Sequence, residues 1–159
     1  MSAPQREILL GIDTISKDGI KNSPVLLWTL RQFVRPGDTI HLVHASKSLA
    51  TPALAGGHVT DNMSSDVLRD MERTVEDVVH QALPLYLSAE VAKSIQLRVT
   101  IQKGDPRDAL LRLSESASVV AIVVGSRGIG AFQRALQGSV SDHLAHNSST
   151  SVIIVKTDD

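Results

Sequence analysis

Six consecutive apolar residues, Val119 to Val124, run straight into Gly125-Ser126-Arg127-Gly128, and all six but Ala121 are valine or isoleucine. A strand with no polar face must be covered on both sides, which places it in the middle of a parallel sheet between layers of helix. Glycine immediately after it removes a Cβ where the chain turns, so the main chain can come close to another group. After nine intervening residues, Gly138-Ser139 opens a segment in which Leu136, Val140 and Leu144 recur at helical spacing. The unpaired N–H groups and positive dipole end of that helix would lie beside the glycine turn, an arrangement suited to the phosphates of a nucleotide.

The rest of the chain alternates in the same way. Ile8 to Ile12 reads as a short buried strand ending at Asp13, and Thr14 to Ser23 as a polar stretch. Ser23-Pro24 is a helix entry, with Leu26, Leu30 and Phe33 or Val34 on one face and Pro36-Gly37-Asp38 as the stop. Thr39 to Ala45 is the second strand. Residues 46–64 form a long Ala/Gly/Ser/Thr-rich loop, beyond the usual connection length and therefore expected to be mobile or functional. Ser64-Ser65-Asp66 caps a helix with Val67, Met71, Val75, Val78 and Ala82 on its apolar face; whether Pro84 ends it or Leu85 to Val91 continues it stays open. Ile95, Leu97, Val99 and Ile101 alternate with polar residues, the mark of a strand with one wet face at a sheet edge. Asp105-Pro106 caps the next helix, with Ala109, Leu110, Leu113 and Ala117 inward, and Ser151 to Lys156 is the last strand. Five strands and four helices in strict alternation predict a parallel α/β sheet with helices on both faces and right-handed crossovers. Ligands in such sheets sit beyond the strand C-termini where the strand order reverses, and Asp13 and Gly125 both lie at strand C-termini.

Bulk composition narrows the function. With 159 residues the chain is expected to be one domain, its core spanning about 6–157, large enough to bury roughly two-thirds of its unfolded surface. A net charge of −1, with one Trp, one Tyr and two Phe, argues against a nucleic-acid surface. Zero cysteines exclude disulfides, thiolate chemistry and thiolate metal sites. No apolar run is long enough to span a bilayer and Met1 to Glu7 holds no signal core, so no membrane insertion is expected and the default setting is the cytoplasm, with the nucleus as an alternative.

The glycine spacing, Asp13 at the end of strand one, Val43-His44-Ala45 closing strand two and the Gly104-Asp105-Pro106 turn together resemble the universal stress protein family over essentially the whole chain. Gly138-Ser139-Val140-Ser141-Asp142-His143 is similar to single-domain plant members. The resemblance implies a Rossmann-like five-stranded parallel sheet in order 3-2-1-4-5, and membership of the branch that binds ATP or AMP. By position, Asp13, after Ile12, would contact the ribose hydroxyls and Val43 would meet adenine through its backbone. Gly125, Gly128, Gly138 and Ser139 would hold the phosphates, with Ser126 and Arg127 in the same turn and Val140 and Ser141 lining the wall. It also implies a stress-response regulatory homodimer paired through the apolar edge Val152-Ile153-Ile154-Val155, with an unidentified protein partner downstream. Against the family pattern, Thr14 to Ser23 is longer by a few residues, which reshapes the purine end of the pocket.

Blander readings accompany these. Asp13 could cap the following turn, Gly138-Ser139 could be a plain helix start, Arg127 and Arg134 could be solvated, and His44 and His143 read as packed or surface histidines. Two alternatives stand beside nucleotide-dependent regulation. One is an interaction module with a non-binding pocket; the other is a slow ATPase, with Mg²⁺ brought by the nucleotide and no protein metal ligands. The stretch Gly125 to Ser139 contains no Gly-Lys-Ser/Thr, and no general base stands out.

Overall fold

The computed structural model describes residues 5–49, 64–126 and 139–157. Five wholly parallel strands form one sheet: β1 (Glu7–Gly11), β2 (Thr39–Ser46), β3 (Gln96–Lys103), β4 (Val119–Gly125) and β5 (Val152–Val155). Their spatial order is β3-β2-β1-β4-β5. The apolar run of β4 is buried against β1, and the alternating strand β3 falls on an edge, as its pattern predicts. On one face, Ile8, Leu10, Ile40, Leu42 and Val123 pack under helices α2 (Pro24–Gln32) and α3 (Ser65–Tyr86). On the other, Leu9, Val43, Ile122 and Val124 pack under α5 (Pro106–Ser114) and α6 (Ser139–Asn147). Sheet registers run in step, Gly11 opposite Val43 and Leu10 opposite Val123, so the C-terminal ends of β1, β2 and β4 finish close together.

Helix starts follow the capping chemistry of the sequence. Ser23, Ser64 and Asp105 accept a backbone N–H from the first turn of α2, α3 and α5, and Pro sits at the first turn of α2 and α5. The described residues hold six helices rather than four. The polar stretch after Asp13 contains α1 (Lys17–Lys21), capped by Ser16 and anchored by the buried Ile20. One buried isoleucine among polar residues is too short a pattern to register as a helix. Pro84 lies inside α3, which continues to Tyr86, and a separate turn, α4 (Ala89–Ser94), follows with Ser88 as its cap. Val67 is 41% exposed and stands outside the apolar face expected of α3, which is built from Val75, Val78, Val79, Ala82 and Leu83. Ala117 lies beyond the end of α5 and is exposed, not inward.

The two sheet edges differ. On β3 the outward-facing N–H of Ile101 is taken by Glu72 Oε1 at 3.0 Å, so a side chain of α3 closes part of that edge. Strand β5 pairs only with β4, and Val152, Ile153 and Ile154 stay half-buried. Loop positions 50–63 lie outside the described residues. Leu42 has no exposed surface, so Leu42→Ala is expected to cost about 2–5 kcal/mol in urea unfolding. Val67→Ala should stay within about 0.5 kcal/mol, and equal losses in the two variants would contradict this core assignment.

Candidate functional site

Strand order reverses between β1 and β4, since β1 leads outward to β2 while β4 leads to β5 on the other side. Main chains separate beyond that point. The last rung on one side is Ile12 N–H to the Val43 carbonyl, 3.0 Å; on the other it is Ser126 N–H to the Val155 carbonyl, 2.8 Å. Between them opens a cleft of about 700 Å³, counting solvent at its mouth. Its floor is Gly11. A Cβ there would stand 2.9 Å from Val124 Cγ1 and 3.1 Å from Leu110 Cδ1, so this strand end needs glycine for the three elements to meet.

The walls are mostly apolar. Val43 and Ala45 of β2 and Leu110 of α5 form one side; Val124, Gly125 and Val140 form the other. Pro24 and Val25 close the α2 end, and Ser23 faces in while its hydroxyl also caps α2, 3.4 Å from Leu26 N. Asp13 lines the cleft, is exposed, and makes no hydrogen bond or ion pair with another described residue. It therefore does not cap the next turn, a task performed by Ser16. A free carboxylate beside apolar walls accepts hydroxyl donors from a ligand, and the walls suit a flat ring.

Ile12, Asp13, Val43, Gly125 and Val140, all anticipated from sequence, are brought together here. Ser126 is not available as an amide donor: its N–H is spent on Val155, and its hydroxyl lies 3.3 Å from Thr157 Oγ1 and accepts the Thr157 N–H at 3.1 Å. Its work is to tie the turn to the tail of β5. Ser141 is 1% exposed and turned into the protein, so it does not line the wall. Ser139 is exposed at the start of α6 and lies off the cleft lining. Arg127, Gly128, Arg134 and Gly138 lie outside the described residues. His44 is buried, its Nδ1 donating to the Ile12 carbonyl at 3.0 Å, and His143 is half-buried on α6; neither lines the cleft. No group of three or more His, Asp or Glu among the described residues could hold a metal ion.

Sequence reasoning missed Gly11, Ala45, Pro106 and Thr157. Ala45 is the most informative. Pairing of β1 with β2 stops at Gly11–Val43, whereas β2 stays paired with β3 to Ser46. Main-chain groups alternate sides along a strand, so those of Ala45 point past the end of β1 into the cleft. A register, unlike a motif, leaves no mark on composition. At the mouth, Asp105 binds Arg107 through two oxygens, 2.9 and 2.6 Å, with Lys47 at 3.8 Å. Hydrogen bonds from the Arg107 side chain hold the Asp105 carboxyl well below the usual carboxylate range, outweighing the opposing effect of burial; the Arg107 N–H and the Lys47 charge add to them.

With the geometry in place, the comparisons with known proteins are informative. The family model described as Universal stress protein family matches residues 5–156. A universal stress protein of Mycolicibacterium smegmatis is 28% identical over 99% of this chain and 50% of its own length. The chain spans between 50% and 62% of the length of the curated relatives it matches. Among solved structures, a universal stress protein family protein from Arabidopsis thaliana with AMP bound superposes at a TM-score of 0.56, with 21% identity over 96% of this chain and 92% of the other. The universal stress protein from Archaeoglobus fulgidus in complex with dAMP superposes at 0.53, with 17% identity over 97% and 100% of the two chains. At these identities the structures share the fold.

A carboxyl depressed on folding contributes stability in full above its unfolded value of about 3.9 and loses it as pH falls from there toward the folded value. The melting-temperature advantage of wild type over Asp105→Asn, which keeps a capping side chain, should therefore shrink once pH drops below about 4. A difference between the two proteins that is constant from neutral to strongly acid pH would show that the pair with Arg107 does not stabilise the fold.

Proposed function

This chain belongs to the universal stress protein family, and on that premise we propose that it binds an adenine nucleotide, AMP or ATP, in the β1/β4 cleft and acts as a stress-response regulator. The observation that carries the reading is Asp13: an exposed carboxylate, without a partner among the described residues, on the wall of a largely apolar cleft at the switch point of the sheet. Ribose hydroxyls would donate to it. Adenine would lie against Val43 and Ala45, using the main-chain groups of Ala45 that extend past β1. The phosphates would lie toward Gly125, with Gly128, Gly138 and Ser139 supplied by the glycine spacing of the sequence and Arg127 as an available cation. Mg²⁺ would arrive on ATP. The bound AMP and dAMP of the two structural relatives support an adenine nucleotide as the ligand class.

The same reading takes the chain as one domain that works as a homodimer in the cytoplasm and passes nucleotide state to a protein partner. The half-buried, apolar and singly paired strand β5 supports two-fold pairing. Among the described residues no helix is long and apolar enough to cross a membrane.

Two measurements test this. At a nucleotide concentration a hundred times the dissociation constant, stabilisation should reach about 2.7 kcal/mol, roughly 5–10 °C in melting temperature. Asp13→Asn and Gly138→Val should each remove most of it while leaving the unliganded melting temperature near wild type. Stabilisation by AMP and ATP that survives in both variants places the nucleotide elsewhere. For assembly, light scattering should give a dimer for wild type and a monomer for Ile154→Asp, and a monomeric wild type ends the β5 proposal.

A further inference from the structure

From the N-terminal end of β1 across to β3, three strands and Ser118, the residue before β4, contribute to a connected polar cluster. Glu7 of β1 and His41 of β2 are 6% and 7% exposed, yet both are polar and on the α5 side of the sheet. Glu7 Oε1 stands 2.7 Å from His41 Nδ1, and His41 Nε2 stands 2.8 Å from Thr100 Oγ1 on β3. The second carboxylate oxygen of Glu7 receives the Ser118 hydroxyl at 3.1 Å and Arg98 Nη1 at 3.4 Å. A carboxylate only accepts, so the His41 Nδ1 proton faces Glu7, and in the neutral imidazole Nε2 accepts the hydroxyl of Thr100. Thr100 itself is half-buried on the wet face of an edge strand. Arg98 lies two residues before it on the same face, roughly 7 Å along the strand, with its side chain 62% exposed.

Nucleophile, base, orienting carboxylate and a neighbouring cation are the parts of a hydroxyl-activating relay, recognised by geometry and not by chain order. Burial requires a partner for each nitrogen of the His41 ring, and Glu7 supplies one of them. It does not require the free nitrogen of the histidine to end on an accessible hydroxyl. We propose that Thr100, His41 and Glu7 form a nucleophilic site that accepts an acyl group from a small activated ester. Thr100 Oγ1 attacks the ester carbonyl carbon while its proton passes to His41 Nε2, and the carbonyl electron pair moves onto oxygen beside Arg98. Collapse of that intermediate breaks the ester C–O bond; the departing oxygen takes the proton from the imidazolium, leaving an acyl ester on Thr100. Water attacking by the same route releases the carboxylic acid and restores the hydroxyl. Glu7 acts as a positioning residue, fixed in turn by Ser118.

The test uses the full chain and p-nitrophenyl acetate. Wild type should release p-nitrophenolate faster than buffer, with acetyl mapped to Thr100 by peptide mass spectrometry of acid-quenched samples. Thr100→Val should reduce release to the buffer rate and remove that label, Thr100→Ser should retain both, and His41→Gln should slow acylation about 100-fold. Because His41 is buried, the pair of Thr100 variants decides the matter if His41→Gln does not fold. Acetyl found only on lysines or the N-terminus overturns the proposal, as does Thr100→Val releasing phenolate at the wild-type rate. A Thr100→Val protein that melts lower than wild type, when wild type carries no Thr100 label, assigns the cluster to strand pinning alone and also overturns it.

Discussion

The site depends on where the sheet runs out of backbone partners. Ile12 N–H is matched to the Val43 carbonyl on one side and Ser126 N–H to the Val155 carbonyl on the other. Beyond Gly11, β2 runs on without β1 beside it. The gap is walled mainly by apolar side chains, with the main-chain groups of Ala45 turned toward it. Gly11 makes the gap possible at atomic scale, because Val124 and Leu110 already occupy the space a side chain would need.

The sheet was legible because its strands carry unambiguous patterns. The run Val119 to Val124 demanded an inner position and the alternation after Ile95 an edge; both agree with the order 3-2-1-4-5 that the family resemblance implies and that is found. Helix starts were legible from Ser23-Pro24 and Asp105-Pro106 because capping is local. What escaped was set by tertiary contact. Ile20 makes α1 a helix by being buried, and Pro84 is tolerated in the last turn of α3, where only two helical residues follow any kink it causes. Val67 fits the period of the apolar face yet is 41% exposed, in the first turn of α3.

Within the site, Asp13 and Gly125 could be found because each follows or closes a strand, while Val43, inside β2, came from the family resemblance. Ser126 and Ser141 match the same motif by position but have their polar groups or side chains committed elsewhere. Ala45 carries no chemical signature, and its contribution comes from β2 running three residues past its last pair with β1. The Glu7–His41–Thr100 cluster was invisible for a related reason. Its members are 34 and 59 positions apart, and only the registers of β1, β2 and β3 bring them into line.

The contact between Glu72 and the Ile101 N–H has a consequence for how copies of such a sheet can join. A sheet with two equivalent open rims could recruit neighbours at both and grow without limit into filaments. Here an acidic side chain occupies part of one rim, while among the described residues no further strand covers the other. Union through the second rim about a two-fold axis would use up that rim on both molecules and halt extension at a pair.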